Sequence, residues 1–365
     1  MQDQYFKSYE DLEVHRLMLE DEPRTNTYRE AICNASNLFK GKVVMDVGAG
    51  TGILSLFCAK AGAKKVYAVE ASSLAMVLPE IVEANNFSQV IEVIHGKVEE
   101  IILDTKVDII VSEWMGFYLL HESMLESVLY ARDKYLVPGG LLFPNRARLY
   151  AAPCSLQDLW LKKRSYWTES KYEFDLSPLL LLASQQSAPE IATIPTEGLL
   201  SDPQLLWDLD LNTVSQSGLQ SFSDRRFFSV ESEGPFHGIG LWFTCSFPPA
   251  GEGEDPPELS TAPWDEETHW KQTVILLPTE GKLEEGDILG WELNLEKDKD
   301  SRAYRIEFNV LDDDEPHGIP CSCGSAKCEI IKHFLNNPNR DSEIPDGNQG
   351  GDGDVGEANI AEDNS

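Results

Sequence analysis

The clearest indication of architecture in this chain is Val43-Val44-Met45-Asp46-Val47-Gly48-Ala49-Gly50-Thr51-Gly52. Its β-branched first half predicts a buried strand, and its glycines predict a turn that leads directly into an apolar helix over residues 53–61. The glycines follow a G-x-G-x-G spacing rather than the G-x-G-x-x-G of a dinucleotide pyrophosphate cradle. Because glycine lets the backbone pass close under a ligand, the turn predicts a small-molecule site at the end of this strand.

Strands and helices alternate on both sides of this unit. Further strands are predicted at residues 65–70, 90–95 and 107–111, with helices between them, and the domain closes with a turn and a strand near 138–144. Such alternation predicts a parallel, doubly wound sheet. Two helices precede the sheet, and the second is predicted to run from an N-cap at about Thr25 to Leu38.

The pattern changes after about Tyr150. Aromatic side chains among mixed charges over residues 160–175 predict a helical arm, and short alternating segments over 205–310 predict an antiparallel barrel or sandwich. Because the end of the chain has few apolar residues to bury, it is predicted to be disordered. We therefore divide the chain into N-terminal helices (1–38), an α/β domain (39–148), a β domain with an arm near 160–185 (149–310), a cysteine-containing extension (311–335) and an acidic tail (336–365).

Composition narrows the range of functions. The 365 residues suffice for two domains with buried cores. The 62 acidic and 30 basic residues give a formal net charge of −32, which disfavours direct binding to nucleic acid or to anionic membranes and favours cationic partners. No apolar run suits a membrane span, and Met1-Gln2-Asp3-Gln4 does not begin a signal peptide. Seven cysteines without a disulfide-like arrangement indicate a reducing intracellular compartment.

A second site is predicted just after the strand at 107–111. Glu113 follows the strand end and Glu122 returns nine positions later, with Gly116 allowing the turn and aromatic residues around both carboxylates. Two carboxylates in a partly dry pocket repel each other unless a cation joins them, and arginine offers a permanently charged, planar fork of donors. The alternative is a solvated acidic turn before a helix whose N-terminus favours Glu122.

Glu70 suggests what the glycine-rich turn binds. It ends the following strand, eighteen residues after Gly52, where a carboxylate can accept both hydroxyls of a ribose. Together with an aromatic-walled carboxylate loop, this suits a cofactor that carries a positive sulfonium and an amino-acid tail. The alternative is a structural turn with Glu70 at the surface.

These motifs together resemble those of the type I protein arginine N-methyltransferases, and most closely the sixth animal isoform. The resemblance covers roughly residues 3–310. It implies an α/β class I Rossmann-like methyltransferase domain followed by an antiparallel β-barrel domain with a helical dimerisation arm. The matching stretches are Tyr5-Phe6-Lys7-Ser8-Tyr9, Asp46 to Gly52, Val69-Glu70-Ala71-Ser72, the loop with Glu113 and Glu122, and Thr268-His269-Trp270-Lys271-Gln272.

The resemblance implies S-adenosyl-L-methionine as the methyl donor. His15 and Arg24, on the N-terminal helices, would close over it, and Arg24 would bind its carboxylate. The implied contacts in the α/β domain are Asp46, Gly48, Gly50 and Gly52 in the turn, with Gly48 against the methionine part, Glu70 at the ribose, and Val98 and Glu99 at the adenine.

The implied reaction methylates arginine. Glu113 and Glu122 would bind the guanidinium, and Asp21 with His269 would relay the released proton. The implied substrate pocket consists of Tyr9, Met18, Met124 and Trp270, and its methionines would leave room for two methyl groups on one nitrogen. The product would be monomethylarginine and then asymmetric dimethylarginine. The alternatives are a family member with another product type and a non-catalytic coactivator that keeps the fold.

The resemblance also implies a homodimer that forms through the arm. The charge suits arginine-rich protein substrates such as histone tails and RNA-binding proteins. We expect the protein in the nucleus and/or the cytoplasm, with the nucleus favoured.

The chain departs from the family pattern at His317, Cys321, Cys323 and Cys328. The C-x-C-x4-C spacing resembles the post-SET zinc motif of lysine methyltransferases, and three thiolates with His317 would complete a tetrahedral structural Zn²⁺ site. The alternative is a set of reduced cysteines in a flexible tail.

Overall fold

A computed structural model describes residues 9–169, 172–185, 188–251, 253–299, 301–312, 315, 318, 321 and 323–336. Two sequence predictions fall largely outside this range. Of the stretch Tyr5 to Tyr9, only Tyr9 is described, and of the tail predicted at 336–365, only Asn336.

The N-terminal part of the chain alternates helices and strands, as predicted. Its strands form a parallel five-stranded sheet in the order β3-β2-β1-β4-β5, so the order reverses beside β1, where open α/β sheets bind ligands. In chain order the elements are α1 (Leu12–Glu20), α2 (Glu22–Cys33), α3 (Ser36–Phe39), β1 (Val43–Val47), α4 (Ile53–Lys60), β2 (Lys65–Glu70), α5 (Leu78–Ala84), β3 (Ile91–His95), β4 (Val107–Val111), α6 (Leu125–Tyr135) and β5 (Leu136–Phe143).

The predicted start of the second helix is wrong. The N-cap of α2 is Asp21, whose Oδ1 accepts a hydrogen bond from the backbone N–H of Arg24 at 2.9 Å, and not Thr25. Pro23 lies in the first turn, where its missing N–H leaves no helical bond unmade. The helix ends at Cys33, so the single helix predicted to reach Leu38 is divided into α2 and α3.

The second part of the chain is an antiparallel β domain, which confirms the predicted fold class. Its first strand begins at Arg146, inside the range predicted for the α/β domain. In chain order its elements are β6 (Arg146–Cys154), α7 (Gln157–Thr168), α8 (Leu180–Gln185), β7 (Glu190–Ala192), β8 (Gln204–Asp210), β9 (Ser221–Ser229), β10 (Gly234–Ser246), β11 (Glu258–Ser260), β12 (Gln272–Leu283), β13 (Ile288–Lys297), β14 (Tyr304–Leu311) and α9 (Ala326–Asn336).

These strands form two antiparallel sheets. The larger has the order β7-β12-β10-β6-β8, with β11 paired to β10, and the smaller has the order β14-β13-β9. Exposure alternates along much of β9 and β14 in the smaller sheet, whereas β10 in the middle of the larger sheet is buried on both faces over most of its length.

One apolar core joins the two domains. The ring of Phe247, which follows β10, lies 4.9 Å from the ring of Tyr28 in α2 and 6.3 Å from that of Phe143 at the end of β5. Phe143 in turn packs against Phe39 of α3 at 4.9 Å. Burying an aromatic side chain of this size contributes roughly 1.5–3 kcal/mol to the free energy of unfolding. Separating the two domains would expose these rings and would therefore be unfavourable.

The arm predicted near residues 160–185 consists of α7 and α8 with the chain between them. Every residue of α7 is at least partly exposed, and large apolar side chains of the arm face solvent. The most exposed are Tyr166, Tyr172, Phe174 and Leu181. None of the described helices has the length and apolar composition that a bilayer span requires.

Candidate active site

A cavity of about 540 Å³ opens at the carboxyl ends of β1 and β4. Its walls come from α1 and α2, the glycine-rich turn, the loop after β4 and the segment before β12. It brings together side chains that are up to 293 positions apart in the chain. Residues predicted for the site that line it are Tyr9, His15, Met18, Arg24, Gly48, Gly50, Glu70, Val98, Glu99, Glu113, Glu122, Met124, His269 and Trp270.

The glycine-rich turn and Glu70 form one rigid unit. The backbone N–H of Gly50 donates to one oxygen of the Glu70 carboxylate at 2.7 Å, and that of Ser72 donates to the other at 2.6 Å. Gly48 has φ +75°, and a Cβ at this position would overlap Cε of Met124. The turn therefore holds Glu70 at the cavity wall and leaves space beside Gly48 that a side chain would fill.

Asp46 and Gly52 do not line the cavity, so their contact with the cofactor stays a prediction. Asp46 is fully buried behind the turn, and its Oδ2 accepts a hydrogen bond from Oγ of Ser55 at 2.7 Å. Burial raises the pKa of Asp46 to about 7, although the Ser55 hydrogen bond opposes the shift. Gly52 has φ +80° and packs against Leu78, so both residues shape the turn from behind.

The loop that carries the two glutamates has an unusual backbone. Four of its non-glycine residues have positive φ, namely Tyr118, Leu119, Glu122 and Ser123. Such conformations are unfavourable for L-residues and persist only where the surroundings impose them. Glu122 lies in a 3₁₀ turn, three residues before the first residue of α6.

The β domain imposes this loop conformation. The backbone N–H of Tyr118 donates to Oγ1 of Thr273 at 3.1 Å, and Nε1 of Trp270 donates to the carbonyl of Met115 at 3.1 Å. Nε of Arg302, in the loop between β13 and β14, donates to the carbonyl of Glu122 at 2.5 Å. Each hydrogen bond comes from a strand or loop more than 150 positions away.

Glu113 is already paired with a cation of this chain. Its Oε2 accepts hydrogen bonds from Nη2 and Nε of Arg24 at 2.8 and 3.0 Å, and both side chains are buried. Its Oε1 accepts from the backbone N–H of Met115 at 3.1 Å. Nη1 of Arg24 donates to the carbonyl of Met18 at 3.1 Å. This arginine therefore joins α1 and α2 to the carboxylate loop.

Glu122 has a different environment. Its Oε2 accepts a hydrogen bond from the hydroxyl of Tyr9 at 2.5 Å. In the described part of the chain no cation forms an ion pair with it. Two carboxylates thus face one cavity, one neutralised by Arg24 and one with a negative charge that an incoming cation can pair with.

Asp21 and His269 are in contact, as the resemblance implied. Nδ1 of His269 lies 2.5 Å from Oδ2 of Asp21, and the backbone N–H of His269 donates to the same oxygen at 2.8 Å. Burial alone would raise the pKa of Asp21, but the hydrogen bonds from His269 and Arg24 outweigh it and lower the pKa. His269 lines the cavity and Asp21 lies behind it, so the carboxylate orients the imidazole ring.

No sequence pattern pointed to Arg302, which also lines the cavity. It lies in a polar loop 180 positions from Glu122, and only the tertiary fold brings the two together. Lys97 and Glu126 are further wall residues that were not predicted. The cysteine-rich segment is elsewhere in the molecule, and His317 lies outside the described residues.

Two family models match the chain in succession. Residues 31–136 match the ribosomal protein L11 methyltransferase model, and residues 145–312 match the arginine methyltransferase oligomerization subdomain. The gap between them, residues 137–144, covers nearly all of β5, the last strand of the parallel sheet, and the second match begins one residue before β6 of the antiparallel sheets.

Curated relatives match most of the chain. Protein arginine N-methyltransferase 6 of Danio rerio is 42% identical, with 89% of this chain and 94% of the relative covered. Protein arginine N-methyltransferase 1 of Saccharomyces cerevisiae is 42% identical, with 84% and 89% covered. The probable protein arginine N-methyltransferase 6.1 of Oryza sativa subsp. japonica is 40% identical, with 82% and 83% covered. Since relatives numbered 1 and 6 match equally well, the isoform stays a prediction.

Solved structures agree with these relatives. The Trypanosoma brucei PRMT1 enzyme-prozyme heterotetrameric complex with AdoHcy superposes with a TM-score of 0.75 at 33% identity, over 84% of this chain and 100% of that one. A crystal structure of PRMT6 gives a TM-score of 0.67 at 34% identity, over 82% of this chain and 100% of that one.

Proposed function

Because this chain belongs to the protein arginine N-methyltransferase family, we propose that it is a type I enzyme that uses S-adenosyl-L-methionine to form monomethylarginine and then asymmetric dimethylarginine in proteins. The observation that carries the proposal is the placement of Glu113 and Glu122 in the same cavity as Glu70 and the glycine-rich turn. Each half of the reaction thereby has its own acidic group: Glu70 for the donor, and the glutamate pair for the arginine.

The cavity suits S-adenosylmethionine. The Glu70 carboxylate is fixed by two backbone N–H groups and retains lone pairs that can accept hydroxyl hydrogens of a ribose. Gly48 leaves the backbone accessible, and Arg24 and His15 also line the cavity. When bound, this cofactor supplies a methyl group attached to a positively charged sulfur.

Glu122 would be the main anchor for the substrate guanidinium. Among the described residues, its carboxylate accepts a hydrogen bond from Tyr9, and it can also accept the parallel N–H groups of an arginine. Glu113 has its Oε2 committed to Arg24, so it would contribute mainly through Oε1 and through its orientation. Holding a nitrogen in a near-attack geometry lowers a barrier by as much as roughly 7–11 kcal/mol, so this positioning would provide much of the catalysis.

The proton released from the methylated nitrogen needs an acceptor. His269 is at the cavity wall with Nδ1 held by Asp21, which leaves Nε2 as the nitrogen that can exchange a proton. We assign this pair the role of relay, as the family resemblance implies.

Whether the product is asymmetric depends on the space around the nitrogen that receives the methyl groups. Met18 and Met124 line the cavity, and Met124 lies directly against Gly48. Flexible methionine side chains can yield room for a second methyl group on the same nitrogen. We further propose arginine-rich substrates, such as histone tails and RNA-binding proteins, a homodimer as the active form, and a location in the nucleus and/or cytoplasm with the nucleus favoured.

The test is a methylation assay with S-adenosylmethionine and an arginine-glycine-rich peptide, read by mass and fragmentation. We expect asymmetric dimethylarginine from the unmodified chain, and a loss of turnover of roughly a hundredfold or more in Glu122→Gln, because an amide cannot neutralise the guanidinium. Glu83→Gln, an exposed change on α5, is the matched control and should retain activity.

Cofactor titration of the same variants distinguishes the alternatives. Glu122→Gln should still bind S-adenosylmethionine, because Glu70 and the turn are unchanged. Near-normal turnover in this variant would refute the role of Glu122. Cofactor binding without methyl transfer to the peptide or to a histone tail would favour the non-catalytic coactivator, and a monomethyl or symmetric product would reassign the product type.

A further inference from the structure

Three cysteines of the C-terminal extension converge on one point. The sulfur atoms of Cys321, Cys323 and Cys328 all lie within 4.8 Å of one another, and those of Cys321 and Cys323 are 3.2 Å apart. Sulfurs that bind one tetrahedral zinc ion at about 2.3 Å lie about 3.8 Å apart. The three thiols therefore already have the mutual spacing of a metal site. Among the described residues, no other group of three or more His, Cys, Asp or Glu side chains has its ligand atoms this close together.

The local backbone brings these sulfurs together. Gly324 has φ +69°, so the chain reverses directly after Cys323 in a conformation that favours glycine. Ser325 then precedes α9, and its Oγ accepts a hydrogen bond from the backbone N–H of Cys328 at 3.3 Å. The first turn of α9 thereby places Cys328 beside Cys323. A site within eight consecutive residues loses little chain entropy on closing.

The cluster is also docked on the β domain. Cys323 and Cys328 are only 1% and 2% exposed and pack against Phe227 of β9, whereas Cys321 is partly exposed. This finding corrects the expectation of cysteines in a flexible tail. Nη2 of Arg225, also on β9, lies 2.5 Å from a carboxylate oxygen of Glu315. None of the cysteines in the structure is part of a disulfide.

We propose that Cys321, Cys323 and Cys328 bind one zinc ion as thiolates and that this ion fixes α9 against β9. Thiolate sulfur is a preferred ligand of Zn²⁺ in structural sites. Each thiol would release its proton on binding, and the fourth position would be taken by water or by a ligand from outside the three cysteines. Because the extension has few buried residues of its own, metal binding would supply much of the free energy that keeps it folded.

The first experiment measures zinc in the full-length chain, purified under reducing conditions without a metal-binding tag. We expect about one zinc per chain by elemental mass spectrometry, and almost none in Cys321→Ser. Cys321 is the partly exposed ligand, so this change leaves the packing on Phe227 in place. Cys33→Ser, which removes a partly exposed thiol outside the cluster, is the control and should retain the metal.

Cobalt provides a second readout. Replacing zinc by Co²⁺ in the intact protein should produce the intense near-ultraviolet band of thiolate-to-cobalt charge transfer in Cys33→Ser but not in Cys321→Ser. Absence of zinc from the reduced, zinc-supplemented chain would overturn the proposal, as would retention of zinc by Cys321→Ser or a disulfide among the three cysteines in freshly purified protein.

The docking role is tested by hydrogen exchange with and without a zinc chelator. We expect the amides of α9 to exchange at least about tenfold faster after chelation, while those of β1 and β4 do not change. Unchanged exchange in α9 would show that the helix does not depend on the ion.

Discussion

Gly48 and Gly41 allow the role of one residue to be separated from backbone strain. Their φ angles are +75° and +76°, so an alanine at either position is strained by about 1 kcal/mol. A Cβ at Gly41 has no atom within 4 Å, whereas one at Gly48 overlaps Met124. We expect Gly41→Ala and Gly48→Ala to lose similar stability, because the flexible Met124 side chain can move aside.

Cofactor affinity should differ between these two variants. In Gly48→Ala both the new methyl group and the displaced Met124 side chain occupy cavity space, so we expect affinity for S-adenosylmethionine to fall about tenfold or more, with no change in Gly41→Ala. Calorimetric titration measures the affinity and urea unfolding measures the stability. Equal affinities in the two variants would mean that the space beside Gly48 is not used.

Asp46 makes stability depend on pH. Its pKa in the folded chain is about 7, above the ordinary value of 3.8. Between these values the folded chain holds a proton that the unfolded chain has lost, so stability decreases as pH rises from about 4 to about 7. Asp46→Asn mimics the protonated form and has no such dependence.

We expect Asp46→Asn to gain roughly 2–3 kcal/mol relative to the unmodified chain between about pH 5 and pH 8. The measurement is the free energy of unfolding in urea at several pH values in that interval. Parallel curves for the two proteins would show that Asp46 is ionised in the folded state at low pH and would contradict the assignment.

The same residues show what could be predicted from sequence at this scale. Glu70 ends β2 and Glu113 lies two residues after β4, at the strand ends where open α/β sheets bind ligands, and Glu122 lies further along the loop that carries Glu113. Because β1 is buried on both faces, its sequence pattern does not show that the Asp46 side chain lies behind the cavity wall. The pairing of Arg24 with Glu113 joins residues 89 positions apart, and no local sequence pattern predicts it.

At the scale of elements, the loop between β4 and α6 depends on hydrogen bonds from the β domain. Tyr118 has a positive φ, and its backbone N–H has Oγ1 of Thr273 as its acceptor. Thr273→Val keeps the shape of the side chain but leaves this buried N–H without its acceptor, at a loss of about 1–3 kcal/mol. We expect lower stability and lower kcat, since Glu122 lies four residues further along the same loop.

Thr244 provides the matched comparison. It is also a buried threonine of the β domain, but its Oγ1 has no hydrogen-bond partner among the described residues. Thr244→Val should therefore be neutral or slightly stabilising and should keep full activity. Urea unfolding and initial-rate measurements on both variants test the pair. A Thr273→Val variant as stable and active as Thr244→Val would show that the loop holds its conformation alone.

Elements were predicted better than their ends and their loops. Short apolar runs between the helices predicted the bounds of β1 to β4 nearly to the residue, because a buried strand needs apolar side chains along its length. The N-cap of α2 was misplaced by four residues, since both Asp21 and Thr25 are suitable caps. The positive φ angles of Tyr118 and Leu119 could not be predicted, because contacts with a distant domain impose them.

At the scale of the whole molecule, the sequence pattern predicts one parallel and one antiparallel domain, but it does not predict which strands pair in the antiparallel domain. The parallel order follows from right-handed crossovers between consecutive strands. The order β7-β12-β10-β6-β8 pairs strands that are far apart in the chain, and only the shared core selects it. The core around Phe247 also makes the cavity a feature of both domains together.

The arm of α7 and α8 is the part of the molecule where large apolar side chains stay exposed in a single chain. Leu181 and Leu182 are 55% and 51% exposed, and they lie near the exposed rings of Tyr172 and Phe174 in sequence. Several exposed large apolar side chains within one short segment are typical of a protein interface. An arm that docks on the cofactor-binding domain of a second copy would bury these side chains and support α1 and α2 over the cavity.

We therefore expect Leu181→Glu to weaken dimerisation by at least about tenfold, since a charge would be buried in the interface. Sedimentation velocity should show twice the 40.8 kDa chain mass for the unmodified protein at micromolar concentration and a shift toward a single chain for the variant. Leu205→Glu places the same charge on another exposed leucine, in β8 outside the arm, and should leave the dimer intact. If α1 and α2 are held by the partner, Leu181→Glu also loses affinity for S-adenosylmethionine, and this loss reverses at high protein concentration. A variant that is monomeric yet binds the cofactor normally would show that the arm serves assembly alone.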